Sequence, residues 1–181
     1  MLMNPSQTLI ANGWLSVFLF IAIATLLSAL VGWLVKKGTL PLKPMMAFNT
    51  AQWQFMRVWV KVALVVGVIL PLVMLVAFWD KPIPRQFFSC YLLAVAVQLA
   101  CEVSFSRWLC PSVVVIIGTL YTGFRIWQLW EGLHLFAYPM LWLGLLWLVL
   151  LFWVANLIML VSMAIPSIFP ESEENSVEDY P

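Results

Sequence analysis

The chain has 181 residues, 64% of them hydrophobic, 15% aromatic and only 9% charged, whereas soluble domains are about 45–50% apolar and about 25% charged. This is the composition of an integral membrane protein, and it excludes a water-soluble globular domain. Nine Lys and Arg against eight Asp and Glu leave a net charge of +1, and no basic run exceeds Lys36-Lys37, which excludes a nucleic-acid surface.

A bilayer core about 30 Å thick takes about 20 apolar residues to cross as a helix, and five stretches meet that need. Residues 1–13 form a short tail without a charged side chain. They lack the basic start of a signal peptide, and the apolar run behind them is too long for a signal core. The expectation is an uncleaved first helix over 14–35, stopped by Lys36-Lys37 and the breaker-rich "GTLPLKP". Next, Met45 to Trp59 mixes apolar, aromatic and amide side chains and is followed by Lys61, a pattern that predicts an interfacial helix. Its role is anchoring, with recognition of anionic lipid or of a partner's membrane-proximal face as the alternative.

The second span is expected over 58–79, closed by "DKPIPR". Pro71 lies inside it and predicts a bend, with a neighbour satisfying the carbonyl that proline leaves without a donor. The third and fourth spans, 86–105 and 111–130, are separated by "SRWLC", which suits a tight hairpin with Pro111 at the first helical position. The fifth, 138–165, is long enough to cross with tilt. Residues 166–181 form an acidic tail, expected to be solvated and disordered, or else to dock a basic partner. The predicted fold is therefore an all-α bundle of five transmembrane helices, alternatively four, with an interfacial helix between the first two.

Basic residues near helix ends set orientation. With five spans, Lys36, Lys37, Lys43, Arg57, Lys61 and Arg107 fall on one side and Lys81, Arg85 and Arg125 on the other. That bias puts the large first loop in the cytoplasm or stroma, with the acidic tail on the same side.

Intramembrane polar residues turn toward protein or water, because exposing them to lipid is costly. Gln98 and Glu102 are four residues apart and share a helical face. With the hairpin turn centred near Trp108, the residue level with Glu102 is about Val114, and Arg125 lies about 16 Å further along. A first polar cluster of Gln98, Glu102 and Arg107 is therefore expected at one end, with Ser106 or a basic loop residue as further partners of Glu102. Arg125 should pair with Asp80 or Glu131 at the other end, unless the fourth segment breaks at Gly118 and re-enters. A second polar face carries Gly118, Tyr121, Thr122, Arg125 and Gln128, as in helices that pack closely or line a groove.

His134, the one histidine, cannot build a histidine-based catalytic or metal cluster alone. It is expected at an interface, or as the single axial ligand of a pigment. Trp14, Trp33, Trp59, Trp79, Trp108 and Trp130 lie near segment ends, as an aromatic belt requires. Trp142, Trp147 and Trp153 lie along the last helix, with Trp142 and Trp153 nearly on one face. They serve as lipid-facing bulk, or as a platform for a carotenoid or chlorophyll. Cys90, Cys101 and Cys110 lack metal or redox spacing and are expected to be buried thiols.

The run "QLACEVSFSRWLCPSVVVIIGTLYTGFRIWQLWEG" resembles the central block of a family of multi-pass membrane proteins of plants and cyanobacteria that has no assigned activity. Gln98, Glu102, Pro111, Tyr121, Arg125 and Ile126 carry the match, and Phe124 stands where the family has a first arginine. The resemblance spans 35 of the 181 residues. It implies a photosynthetic lineage and a thylakoid or plastid membrane, and no catalytic motif.

No GxSxG, HExxH or Walker loop is present. The expected function is a non-enzymatic membrane scaffold, an auxiliary or assembly factor for a larger, photosynthetic, membrane complex, with protein partners and a bound lipid or pigment. The alternative is a small transporter or channel with a polar path through Glu102, Gln98 and Arg125, which calls for inverted repeats or broken helices.

Overall fold

The computed structural model describes residues 5–170, with side chains from Gly13 onward. It is all-helical among the described residues. The five helices are α1 (Pro5–Lys36), α2 (Thr50–Ala77), α3 (Pro82–Trp108), α4 (Val113–Leu135) and α5 (Met140–Ile168). Each has a stretch long and apolar enough to cross a membrane, and their outer faces leave Leu15, Phe18, Leu26, Val76, Leu141 and Ile158 exposed. A monomer in water does not carry apolar surface on that scale, so the five helices fit an integral membrane protein.

Successive helices alternate in direction. The first loop, the α3–α4 turn and the end of α5 therefore meet at one end, where Lys43 and Ala47 donate backbone N–H groups to Ile168 and Ser167 and Ser112 donates to Pro44. A helix long and apolar enough to cross lies at each of the five predicted spans, and α4 runs through Gly118 without a break. The acidic tail from residue 171 onward lies outside the described residues.

Helix ends follow local chemistry. α1 starts at Pro5, well before the expected Trp14, and closes in a Schellman motif. Gly38 takes a φ of 74°, Thr39 N bonds Leu34 O, and Gly38 N bonds Val35 O; a left-handed residue after the last turn favours glycine.

α2 corrects the interfacial helix expected over Met45 to Trp59. Residues 39–49 are non-helical and held by the backbone bonds just named. Asn49 then caps a helix that begins at Thr50, with Gln52 reaching back to the Asn49 N–H in a capping box. The helix continues through one π turn to Ala77. Gln52 serves the cap, and Trp53 to Trp59 belong to the spanning helix. Similarly, Pro111 precedes the first helical residue of α4 instead of occupying it, because the chain needs residues 109–112 to turn.

Pro71 produces the expected disturbance in a specific form. A π-helical turn, Val65–Ile69, ends two residues before it. The carbonyl that Pro71 deprives of an i+4 donor is that of Gly67, and Tyr91 of α3 donates its hydroxyl to it at 2.9 Å. A second π turn, Leu160–Ala164, ends two residues before Pro166 in α5.

The α3–α4 hairpin is central. On one side α1 packs through Val17, Ala24 and Val35 against Cys90, Ala94, Val113, Ile117 and Tyr121. On the other, Met74 of α2, Phe78 just past its end, and Leu146, Val149, Leu150 and Trp153 of α5 close over Phe88, Tyr91, Val95 and Leu129. The first half of α2, Thr50–Leu64, contains no buried residue.

Candidate functional site

A cavity of about 360 Å³ lies between the first half of α2 and a wall made of α3, α4 and α5. Trp53, Met56, Val60 and Leu64 line it from α2, Val95 and Leu99 from α3, and Leu160 and Ala164 from the second π turn, while Met46 and Phe48 of the first loop close its end. Val60, Leu64 and Leu99 are also exposed outward, which makes them its rim. The lining is mostly apolar, with Gln98, Glu102, Thr122, Arg125 and Asn156 on its inner wall and Lys61 at α2.

Arg125 anchors that wall. It is 2% exposed and is the thirteenth of the 23 residues of α4, and so sits mid-way along the helix. Its Nη2 donates to Gln98 Oε1, Gln98 Nε2 donates to Glu102 Oε1, and the guanidinium lies 4.2 Å from the Trp153 ring centroid. The amide of Gln98 is thus oriented by two ionisable neighbours, its oxygen toward the cation and its nitrogen toward the carboxylate. Burying a lone charge costs several kcal/mol, and pairing it through hydrogen bonds is what makes an arginine tolerable at this depth. Arg125 Nε, by contrast, is buried with no partner.

Two further chains of hydrogen bonds tie the wall together. Trp153 Nε1 donates to Tyr91 Oη at 2.7 Å, and the Tyr91 hydroxyl in turn donates to Gly67 O. Trp59 Nε1 donates to Asn156 Oδ1 at 2.7 Å, and Asn156 Nδ2 to Thr122 Oγ1 at 3.0 Å. The second chain holds the otherwise detached first half of α2 to α5, aided by Trp59 stacking on Phe152 at 5.2 Å. Gly67 packs directly under the Trp153 indole, where a β-carbon would collide with the ring.

The polar residues therefore group differently from the expected two clusters. Gln98 and Glu102 do share an inward face, but their third member is Arg125. Arg107 is exposed in the last turn of α3. The reason lies in the turn. It spans residues 109–112, so its centre falls near 110.5 instead of Trp108, and each residue of displacement moves the level partner by two. The residue level with Glu102 is then about Thr119, Arg125 is about 9 Å beyond it, and Gln98, level with Gly123, bridges the gap. A β-carbon on Gly118 would lie 4.0 Å from Glu102 Oε1, in keeping with that register. Asp80 and Glu131, the expected partners of Arg125, are exposed.

The second polar face also divides. Gly118, Thr122 and Arg125 face the cavity, while Tyr121 turns to α1, with its hydroxyl 3.3 Å from Thr25 Oγ1. Gln128 lines a second cavity of about 240 Å³ with Gln86, Cys90, Glu131 and Val17, and its Oε1 is buried without a partner.

His134 is exposed and donates through Nδ1 to Trp130 O at 3.0 Å; it lines neither cavity. Trp153 is buried and Trp142 half-buried against Phe78, which corrects their assignment as lipid-facing bulk. Trp59, placed in the aromatic belt, instead bonds Asn156 within the wall. Trp33, Trp79, Trp108 and Trp130 are exposed near helix ends, as a belt requires. Cys90 and Cys110 are buried and Cys101 half-buried, all three unbridged. Among the described residues no group of three His, Cys, Asp or Glu could hold a metal.

No protein-family model matches the chain, and neither does any curated protein or solved structure.

Proposed function

We propose that the protein is a non-enzymatic membrane component, an auxiliary or assembly factor of a larger membrane complex, that holds a lipid or pigment in the cleft beside α2. The observation that carries this reading is a cleft with an apolar rim and a hydrogen-bonded Glu102–Gln98–Arg125 wall. Ligand sites are mostly apolar with a few placed polar groups, and this cleft has that balance. The exposed aromatic and aliphatic surface of α1 and α2 would face lipid or partner helices.

The membrane would be a cell inner membrane or a thylakoid, the latter resting on the resemblance of residues 98–132 alone. The basic first loop would face the cytoplasm or stroma by the distribution of Lys and Arg. His134 would serve a pigment only at the protein surface, apart from the cleft.

A small transporter is the second reading, favoured by one observation. Both π turns border the cleft through Val68, Leu160 and Ala164, and interrupted helices at a polar site are a transporter feature. Tagged protein purified from its native membrane tests the choice. The scaffold reading expects stable co-purifying proteins, with Glu102→Gln changing their yield and leaving solute flux in proteoliposomes at background. Flux that depends on Glu102, without co-purifying proteins, would overturn it.

A further inference from the structure

We infer that the cleft binds a slender amphiphile, one apolar chain ending in an oxygen acceptor, and that Arg125 Nε donates to that oxygen. The inference rests on the reading of the cleft as a ligand site and adds the chemical class of the ligand.

Three observations define that class. Arg125 is 2% exposed and lines the cleft, yet its Nε has no partner. A buried N–H left unpaired costs about 1–3 kcal/mol, so an acceptor oxygen placed there is favoured over a hydrocarbon end. Next, the Arg125 charge is already answered by Glu102 through Gln98. The wall therefore offers a hydrogen bond instead of an uncompensated positive charge, which suits a neutral oxygen, a ring carbonyl or a protonated carboxyl, better than a phosphate headgroup. Finally, about 360 Å³ lies at the small end of ligand pockets, which run to about 1,000 Å³. That space suits a small polar end and the first part of one chain, with the remainder leaving over the exposed rim of Val60, Leu64 and Leu99.

Two sources share this chemistry, a free fatty acid and the quinone head of a prenyl chain. Purified full-length protein in detergent is titrated with 12-bromododecanoic acid, with decylubiquinone and, as the chain without an oxygen acceptor, with 1-bromododecane. The readout is saturable quenching of tryptophan emission, since Trp53, Trp59 and Trp153 line the cleft. The expected result is half-saturation for the acid or the quinone about tenfold or more below that for 1-bromododecane, equivalent to ~1.4 kcal/mol. Preference for the acid assigns a carboxyl group, and preference for the quinone assigns a ring carbonyl. Arg125→Gln should remove the preference. Because that variant could fail to fold, Leu99→Phe, which fills the rim and leaves the polar wall intact, should weaken the preferred probe by about the same factor.

Equal half-saturation for all three probes, or a preference that survives both substitutions, overturns the assignment. Loss of co-purifying proteins from wild-type protein that still prefers an acceptor probe would sink the scaffold reading alone. Intact co-purification without that preference would sink the ligand assignment alone.

Discussion

The two faces of the α3–α4 hairpin solve the same problem by different means. Toward α1 the contact is mainly apolar and aromatic, with the Tyr121–Thr25 hydroxyl pair beside it. Phe20 stacks on Phe124 with centroids 3.9 Å apart, Ala24 and Ile117 are buried, and Gly32 lets Leu109 and Val113 approach the α1 backbone. Toward α2 and α5 the contact runs through hydrogen-bonded chains and leaves a cavity beside them. Because lipid tails are as apolar as leucine, burial alone gives little drive for helix association in a bilayer. Close packing and interhelical hydrogen bonds supply it; packing predominates toward α1 and hydrogen-bonded chains toward α2 and α5. The face that relies on hydrogen bonds is the one that can stay open.

That contrast predicts unequal costs. Arg125→Leu should be the most damaging change, because it leaves buried Gln98 and half-buried Glu102 without their cation; a loss of about 3 kcal/mol is expected, read from denaturing-detergent unfolding of the purified protein. A double-mutant cycle with Glu102→Gln should recover part of it. Equal losses for the double and the sum of singles would show that the two ends of the chain do not communicate.

Gly67→Ala comes next, at about 1–3 kcal/mol, since the new methyl strikes the Trp153 indole and that ring is held by Tyr91 and Arg125. Tyr91→Phe should cost about 1–3 kcal/mol by leaving Trp153 N–H and Gly67 C=O unpaired, measured in the same assay. Phe20→Leu, on the packed face, should cost only about 0.5–1.5 kcal/mol. If it matched Arg125→Leu, the division of labour between the faces would be wrong.

Tyr138, in the α4–α5 turn, gives the smallest effect and a pH test. Its hydroxyl is buried without a partner, and burial pushes its pKa from 10.0 up to about 12. The fold favours the neutral phenol, so this contribution is complete below pH 10 and is lost as pH rises through about 12. Tyr138→Phe should be neutral or slightly stabilising at pH 7, in contrast with Tyr91→Phe, and should reduce the alkaline loss. Phenolate absorbance against pH, compared between wild type and variant, checks the assignment.

The helical spans are legible in the sequence because a bilayer-length apolar run is a strong, additive signal. The boundary of α2 was legible too. "NTAQ" carries the Asn and Gln of a capping box three residues apart, but the mixed polarity of Trp53 to Lys61 suggested an interface instead. The inward face of Gln98 and Glu102 follows from their spacing. Their link to Arg125 does not, because it depends on where a four-residue turn is centred, and an error of two and a half residues there displaces the opposing helix by five. The Trp59–Asn156 bond and the role of Trp153 join residues far apart in sequence and are set by the rotation of α2 and α5, which hydropathy does not encode.

The π turn in α2 works as a phase shifter. A π turn accommodates one residue more than an α turn, so the segment before Val65 and the segment after Ile69 are aligned to different neighbours. Beyond the turn, Met74 and Phe78 face the core; before it, Trp59 faces Asn156. Forcing Val65–Ile69 into α geometry with every residue kept would rotate Trp59 by about 100° relative to Met74, sending its indole away from Asn156 and releasing that half of the helix, whereas deleting one residue there would keep the phase. The π turn thus sets which way that wall of the cleft faces.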